Sequence, residues 1–216
     1  MSNETLKQSA PRRRLTAEAR RELIEQAATE VFAERGYQGA SMEEIAKRSG
    51  VSTPVLYDHF NSKQDLHRRL LERHFAELRQ VWRENLLSDE PQERRIARAF
   101  DAWFAYVQTH PYARRMLFRD TTGEPGVQEM HNEVAAQSRA AVIPLLTQEP
   151  GTANILDFAG EEALDMVWEV LRGVLQGLAL WWYEHQQVPR SQVVSTAMNT
   201  LWIGFERTGR GELWQP

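Results

Sequence analysis

The chain has 216 residues, a net charge of −4 and no cysteine. That length holds one large or two small domains, and the missing thiols exclude disulfides, thiolate chemistry and cysteine-based zinc sites. No apolar run approaches the ~18 residues that span a bilayer, and residues 1–20 are polar and basic without the apolar stretch of a secretory signal, so a cytoplasmic protein with no membrane partner is expected.

Charge is unevenly spread. Residues 1–75 carry 13 Lys and Arg against 11 Asp and Glu, while the remainder carries 13 against 19. A nucleic-acid binder needs local positive charge, not a basic total, and the N-terminal third has it.

Apolar residues recur at three- and four-residue spacing throughout, with no sustained alternation, which predicts an all-α fold. Residues 1–15, with Lys7 and Arg12-Arg13-Arg14, read as a flexible basic arm; such an arm either enters the minor groove or stays a solvated tail. An amphipathic helix follows from Thr16 to Arg35, with Leu23, Ile24, Ala27, Val31 and Phe32 on one face and Gly36 closing it. Two short helices are expected at about 42–49 and 53–59, then a long one from Lys63 to Leu87. Beyond the break at Ser88-Asp89-Glu90-Pro91, helices are expected at about 91–110, 111–119, 127–147, 161–186 and 189–207.

The stretch from Ser41 to Phe60, SMEEIAKRSGVSTPVLYDHF, is the most informative. Ser41 and Glu44 form a capping box that starts a helix. Met42, Ile45 and Ala46 give it a buried face, and small Ala46 lets another helix cross closely. Gly50 occupies a turn where a left-handed backbone is cheap only for glycine. Val51 plugs the core, Ser52 or Thr53 caps the next helix, and Pro54 sits in the first turn, where its missing N–H does no harm. Leu56 and Phe60 point inward four residues apart. Thr53, Pro54, Val55, Tyr57, Asp58 and His59 are left outside, on a short helix suited to the major groove.

Residues Arg21–Leu70 resemble the DNA-binding domain of the TetR family of regulators. The resemblance is carried by Ile24, Ala27-Ala28, Phe32, Gly36-Tyr37, Ser41, Ile45-Ala46, Gly50-Val51-Ser52, Leu56-Tyr57, His59-Phe60, Lys63 and Leu66. It implies three DNA-binding helices within residues 16–62, a connecting helix over 63–87, and a larger helical domain over 88–216 for ligand binding and dimerisation. It also implies base reading by Thr53, Pro54 and Val55, and phosphate contacts from Ser41, Tyr57, His59 and Lys63. Pro54 and Val55 offer only apolar contacts, such as to a thymine methyl, whereas Thr53 can hydrogen-bond. The Asp58 carboxylate is repelled by phosphates, so it must read a cytosine amino group, pair locally or point away.

An enzyme would need a phosphate loop, a nucleophile elbow or a metal cluster. None is present. His67 and His74 lie seven apart with no completing carboxylate, and on a helix His131 points away from Glu129 and Glu133. No catalytic residue, metal or cofactor is expected. The resemblance suggests a small-molecule effector instead, and the candidate pocket residues are Trp82, Trp103, Phe104, Tyr106, Met116, Phe118 and Trp168. The apolar width of the last two helices exceeds what one neighbour covers. They are expected to form a four-helix dimer interface through Leu171, Val174, Leu178, Trp181, Val194, Met198, Leu201 and Phe205, with Gly173 and Gly177 allowing close approach. The expected whole is a homodimeric repressor of a palindromic double-stranded DNA operator, released by ligand. The alternative is a regulator acting without a ligand, through a protein partner or as an activator.

Overall fold

The computed structural model describes residues 15–110, 112, 125–147 and 161–212, and every described element is helical. α1 spans Ala17–Gly39 and starts where the Thr16 side chain accepts from Ala19 N–H. Its regular part ends at Gly36, whose φ of 71° few other residues tolerate. α2 (Met42–Ser49) and α3 (Thr53–His59) are short. α4 runs 24 residues from Lys63 to Leu86. Ser62 caps it by accepting from Asp65 N–H at 3.0 Å, and the Asp65 carboxylate accepts from Asn61 N–H at 3.0 Å, so the two side chains satisfy both sides of the helix start. α5 (Gln92–Thr109) follows Pro91, and α6 (Pro125–Thr147) and α7 (Glu161–Glu184) are long.

The helix expected over 189–207 is in three parts: α8 (Arg190–Ala197), a π-helical turn (Met198–Trp202) and α9 (Ile203–Gly209). At the wide turn the Thr200 hydroxyl donates to the carbonyls of Thr196 and Ala197, a competition for backbone acceptors that bends helices.

Two apolar cores result, and α4 belongs to both. The first unites Ile24, Ala28, Val31 and Phe32 of α1, Ile45 of α2 and Leu56 of α3 with Leu66, Leu70 and Leu71 from the first half of α4. Tyr112 and three residues of α6, Val127, Met130 and Val134, complete it. The second gathers Leu78, Trp82 and Leu86 from the rest of α4 with Phe100, Trp103 and Phe104 of α5, Leu171, Leu175 and Trp182 of α7, and Ala197 and Leu201. Arg190 ties α8 to α5 by a two-pronged pair with Asp101, at 2.7 and 3.2 Å.

α7 is apolar on two sides. Leu171, Leu175, Ala179 and Trp182 face the second core, while Met166, Val170 and Trp181 are exposed. This corrects part of the expected dimer surface. Leu171 and Leu201 are only 3% and 4% exposed inside their own chain, so a partner cannot reach them. Val174, Leu178, Val194, Met198 and Phe205 are half-buried against the same core, and Trp181 alone of the expected set stands clear.

Candidate nucleic-acid interface

The corner between α2 and α3 is built by its caps. Ser41 Oγ accepts from Glu44 N–H at 3.2 Å. Gly50 ends α2 with φ 72°, and Val51 N–H then reaches back to the Ala46 carbonyl at 3.1 Å. Ser52 caps α3 by backbone conformation alone, without a side-chain bond, and Pro54 lies in the first turn. Ile45, Ala46, Leu56 and Phe60 are buried, Phe60 beneath the Arg21 guanidinium. Held this way, α3 turns Pro54, Tyr57 and Asp58 outward, with Thr53, Val55 and His59 half-buried at the edges of the exposed face and Ser41 exposed at the start of α2. Tyr57 is 45% exposed, an unusual position for a large aromatic side chain that has no core to fill. Asp58 therefore points away from the corner rather than into it.

Lys63 has a second task. Its Nζ donates to the carbonyls of Tyr37 (2.9 Å) and Ala40 (3.2 Å) and lies 4.4 Å from the centre of the Tyr37 ring. An ammonium has three N–H donors, so at most one is left for a phosphate. Its main effect is to fasten the end of α1 to the start of α4.

Ion pairs fix the other angles of the three-helix head. Arg48 of α2 forks onto Glu34 of α1 at 2.6 and 2.8 Å; this hydrogen bond holds the Glu34 carboxyl below its usual range and raises Arg48. Glu25 is more telling. It is 5% exposed, on α1, and faces Arg69 and Arg73 of α4, each at 3.4 Å. A buried carboxylate needs such partners. It acts as a rivet between head and connecting helix that the sequence signals only through the spacing of Arg21 and Glu25.

A cavity of 490 Å³ opens on the other side of α4, between α4, α5, α6 and α7. Phe75, Leu78, Trp82, Trp103 and Trp168 give it apolar walls, with Arg79, Arg139, Arg172 and His131 among its polar groups. Of the residues expected in a pocket, Trp82, Trp103 and Trp168 line this cavity. Phe104 and Tyr106 are not part of it. Phe104 is fully buried between Trp103 and Trp182. The Tyr106 hydroxyl donates to Glu77 and contacts His74 Nδ1, both at 2.6 Å. Met116, Phe118 and the arm residues Arg12, Arg13 and Arg14 lie outside the described residues. Arg139 pairs with Asp165 and Arg172 with Glu169, whereas Arg79 donates to the Ser138 hydroxyl at 3.4 Å.

Three histidines to which the sequence assigned no role prove to be internal. His67, His74 and His131 are all buried. Burial pushes His67 down to about 3, helped by nearby His131 and Lys63, and lowers His74 to about 4 and His131 in the same direction. All three are therefore neutral near pH 7. Glu129 and Glu133 are exposed on the opposite side of α6 from His131, and no group of three or more metal-ligating residues occurs among the described residues.

The model of the "Bacterial regulatory proteins, tetR family" matches residues 24–70, the span just described from α1 into α4. That stretch, from α1 into the first turns of α4, is similar to the DNA-binding segment of TetR-family regulators. It is 36% identical over 139 residues to the HTH-type transcriptional activator FasR of Mycolicibacterium smegmatis, an alignment covering 64% of each chain. The aligned stretch thus spans just under two thirds of that relative's length. The likeness of fold extends through the second domain. A transcriptional regulator FadR from Bacillus subtilis, solved in complex with stearoyl-CoA, superposes with a TM-score of 0.67 at 17% identity, over 88% of this chain and 98% of its own. A regulator from Pseudomonas aeruginosa PAO1 does so at 0.73 and 20%, over 93% and 97%.

Proposed function

We propose that this chain is a homodimeric transcriptional regulator that reads a palindromic operator with α3 and responds to an amphipathic ligand held in the cavity behind α4. The carrying observation is α3 itself. Leu56 and Phe60 anchor it, and an exposed Tyr57 projects from it beside Thr53, Pro54 and Val55, which reach bases, while Ser41 and His59 reach phosphates and Lys63 offers one remaining proton. Two such helices on a two-fold axis sit one DNA turn apart, ~34–36 Å.

Dimerisation is supported by the outer face of α7. A Cβ added at Gly173 or Gly177 would touch nothing within 4 Å in the chain. Glycine in an exposed helix is costly, and its use between exposed Val170 and Trp181 suits close approach of the same helix from a second copy.

The ligand class follows from the walls. A cavity of this size, apolar and aromatic with a few cations, takes a ligand with a long apolar part and a polar or anionic end. A long-chain acyl thioester has that form, and the B. subtilis neighbour was solved with one, stearoyl-CoA. Repression with release by ligand is one direction of control. Activation is the second, favoured by the name of the 36% identical relative. The test is a titration with stearoyl-CoA: quenching of the three cavity tryptophans is expected, with a change in affinity for the DNA upstream of the protein's own gene. No quenching and no change would overturn the ligand reading, and the sign of the change separates repressor from activator.

A further inference from the structure

The first core and the ligand cavity meet at two histidines. His131, on α6, lines the cavity, and its ring centre lies 5.9 Å from that of His67. His67, on the second turn of α4, is fully buried within the head. Its ring stands edge-on to Phe32 at 5.1 Å and Tyr37 at 4.8 Å, both from α1. Phe75 adds to the seam, since it both lines the cavity and packs against the head's core.

Both ring nitrogens of His67 and Nε2 of His131 are buried with no hydrogen-bond partner among the described residues. Packing alone does not call for this. A phenylalanine would fill either place without burying unmet polar atoms. A neutral imidazole carries one N–H donor and one acceptor. The pair therefore offers donors and acceptors in a buried seam, with one member facing the cavity and the other wedged among the aromatic rings that position α1 against α4.

We infer that His131 and His67 form the polar relay through which occupancy of the cavity is read by the DNA-binding head. This rests on the reading of the cavity as a ligand site. A hydrogen-bonding group of the ligand, such as an acyl carbonyl, engages His131. Reorientation of that ring then offers His67 a partner, and His67 cannot turn without shifting Phe32 and Tyr37. The ligand thereby favours one seating of the head over the other, a coupling between two sites.

His67→Phe in the full-length dimer tests it. The variant keeps a ring against Phe32 and Tyr37 and removes both unmet nitrogens. Its melting temperature is expected to equal or exceed that of the wild type, with affinity for its own upstream DNA and quenching by stearoyl-CoA both unchanged. The factor by which saturating stearoyl-CoA changes DNA affinity is expected to shrink at least tenfold. His131→Phe should lose the same factor and also weaken ligand binding. A lower melting temperature in His67→Phe would show that its nitrogens are satisfied in the folded protein and would overturn the relay, as would a full ligand response in that variant. A wild type that neither binds nor responds to stearoyl-CoA would remove the ligand reading itself, and the relay with it.

Discussion

The head and the larger domain solve the same problem, packing helices against α4, by different means. In the head, position is set by small, local and polar devices: the Ser41 and Ser62 caps, the Gly50 turn, the Arg48–Glu34 fork and the Glu25 rivet. Each limits a specific angle, so α3 is presented in one orientation. In the larger domain, position is set by wide apolar faces around a cavity. That packing is tight where Phe104 and Ala179 sit, and open at the cavity. The contrast teaches that α3 is held by local caps, whereas the larger domain is packed around open space, and α4 is the element common to both.

The contrast breaks most severely at Phe60. Phe60→Ala removes a side chain that is 1% exposed, and such truncations cost about 3–5 kcal/mol. Chemical denaturation should show the head unfolding before the larger domain, with DNA binding lost. Gly177→Leu probes the other side. A Cβ there meets nothing in the chain, and leucine favours a helix over glycine by about 1 kcal/mol. Sedimentation should find a folded, more stable monomer in place of a dimer; a dimer that persists would move the interface elsewhere.

Acid should act on the seam. His67 and His74 stay neutral in the folded protein down to about 3 and about 4, against an ordinary value of 6.5. Below pH 6.5 the unfolded chain therefore binds more protons than the folded one. Stability should be full above pH 6.5 and fall as pH drops toward 4, by up to about 1.4 kcal/mol per pH unit for each histidine. His67→Phe should flatten this slope in pH-resolved denaturation. The smallest effect belongs to Gly126, at the start of α6, where a Cβ would come within 3.0 Å of Gln64 Nε2. That atom ends a flexible side chain, so Gly126→Ala should change stability by no more than about 0.5 kcal/mol.

The head was legible in the sequence because its devices are local. Ser41 and Glu44, Gly50 and Val51, and Leu56 and Phe60 each signal within four residues. Lys63 shows the limit of that legibility: its acceptors, Tyr37 and Ala40, lie more than 20 residues away, and a surface cation became an internal clasp. The dimer stripe misled for a related reason. Leu171 and Trp181 are equally apolar, and only the packed fold shows that one fills the core while the other is left outside. Three of the residues that line the cavity, Trp82, Trp103 and Trp168, stand out in the sequence as tryptophans at helical spacing. Tyr106 was drawn away by the hydrogen bonds offered by Glu77 and His74, and the pairing of His67 with His131 joins positions 64 residues apart, beyond any periodicity.

The central claim is that α3 reads DNA through an exposed face that the fold does not need. The most direct measurement is fluorescence anisotropy of the protein's own upstream DNA against wild type and Tyr57→Ala, repeated over a range of salt. The account predicts an at least tenfold loss of affinity in Tyr57→Ala with an unchanged melting temperature, and wild-type binding that weakens steeply as salt rises. Equal affinity in the two proteins would contradict it.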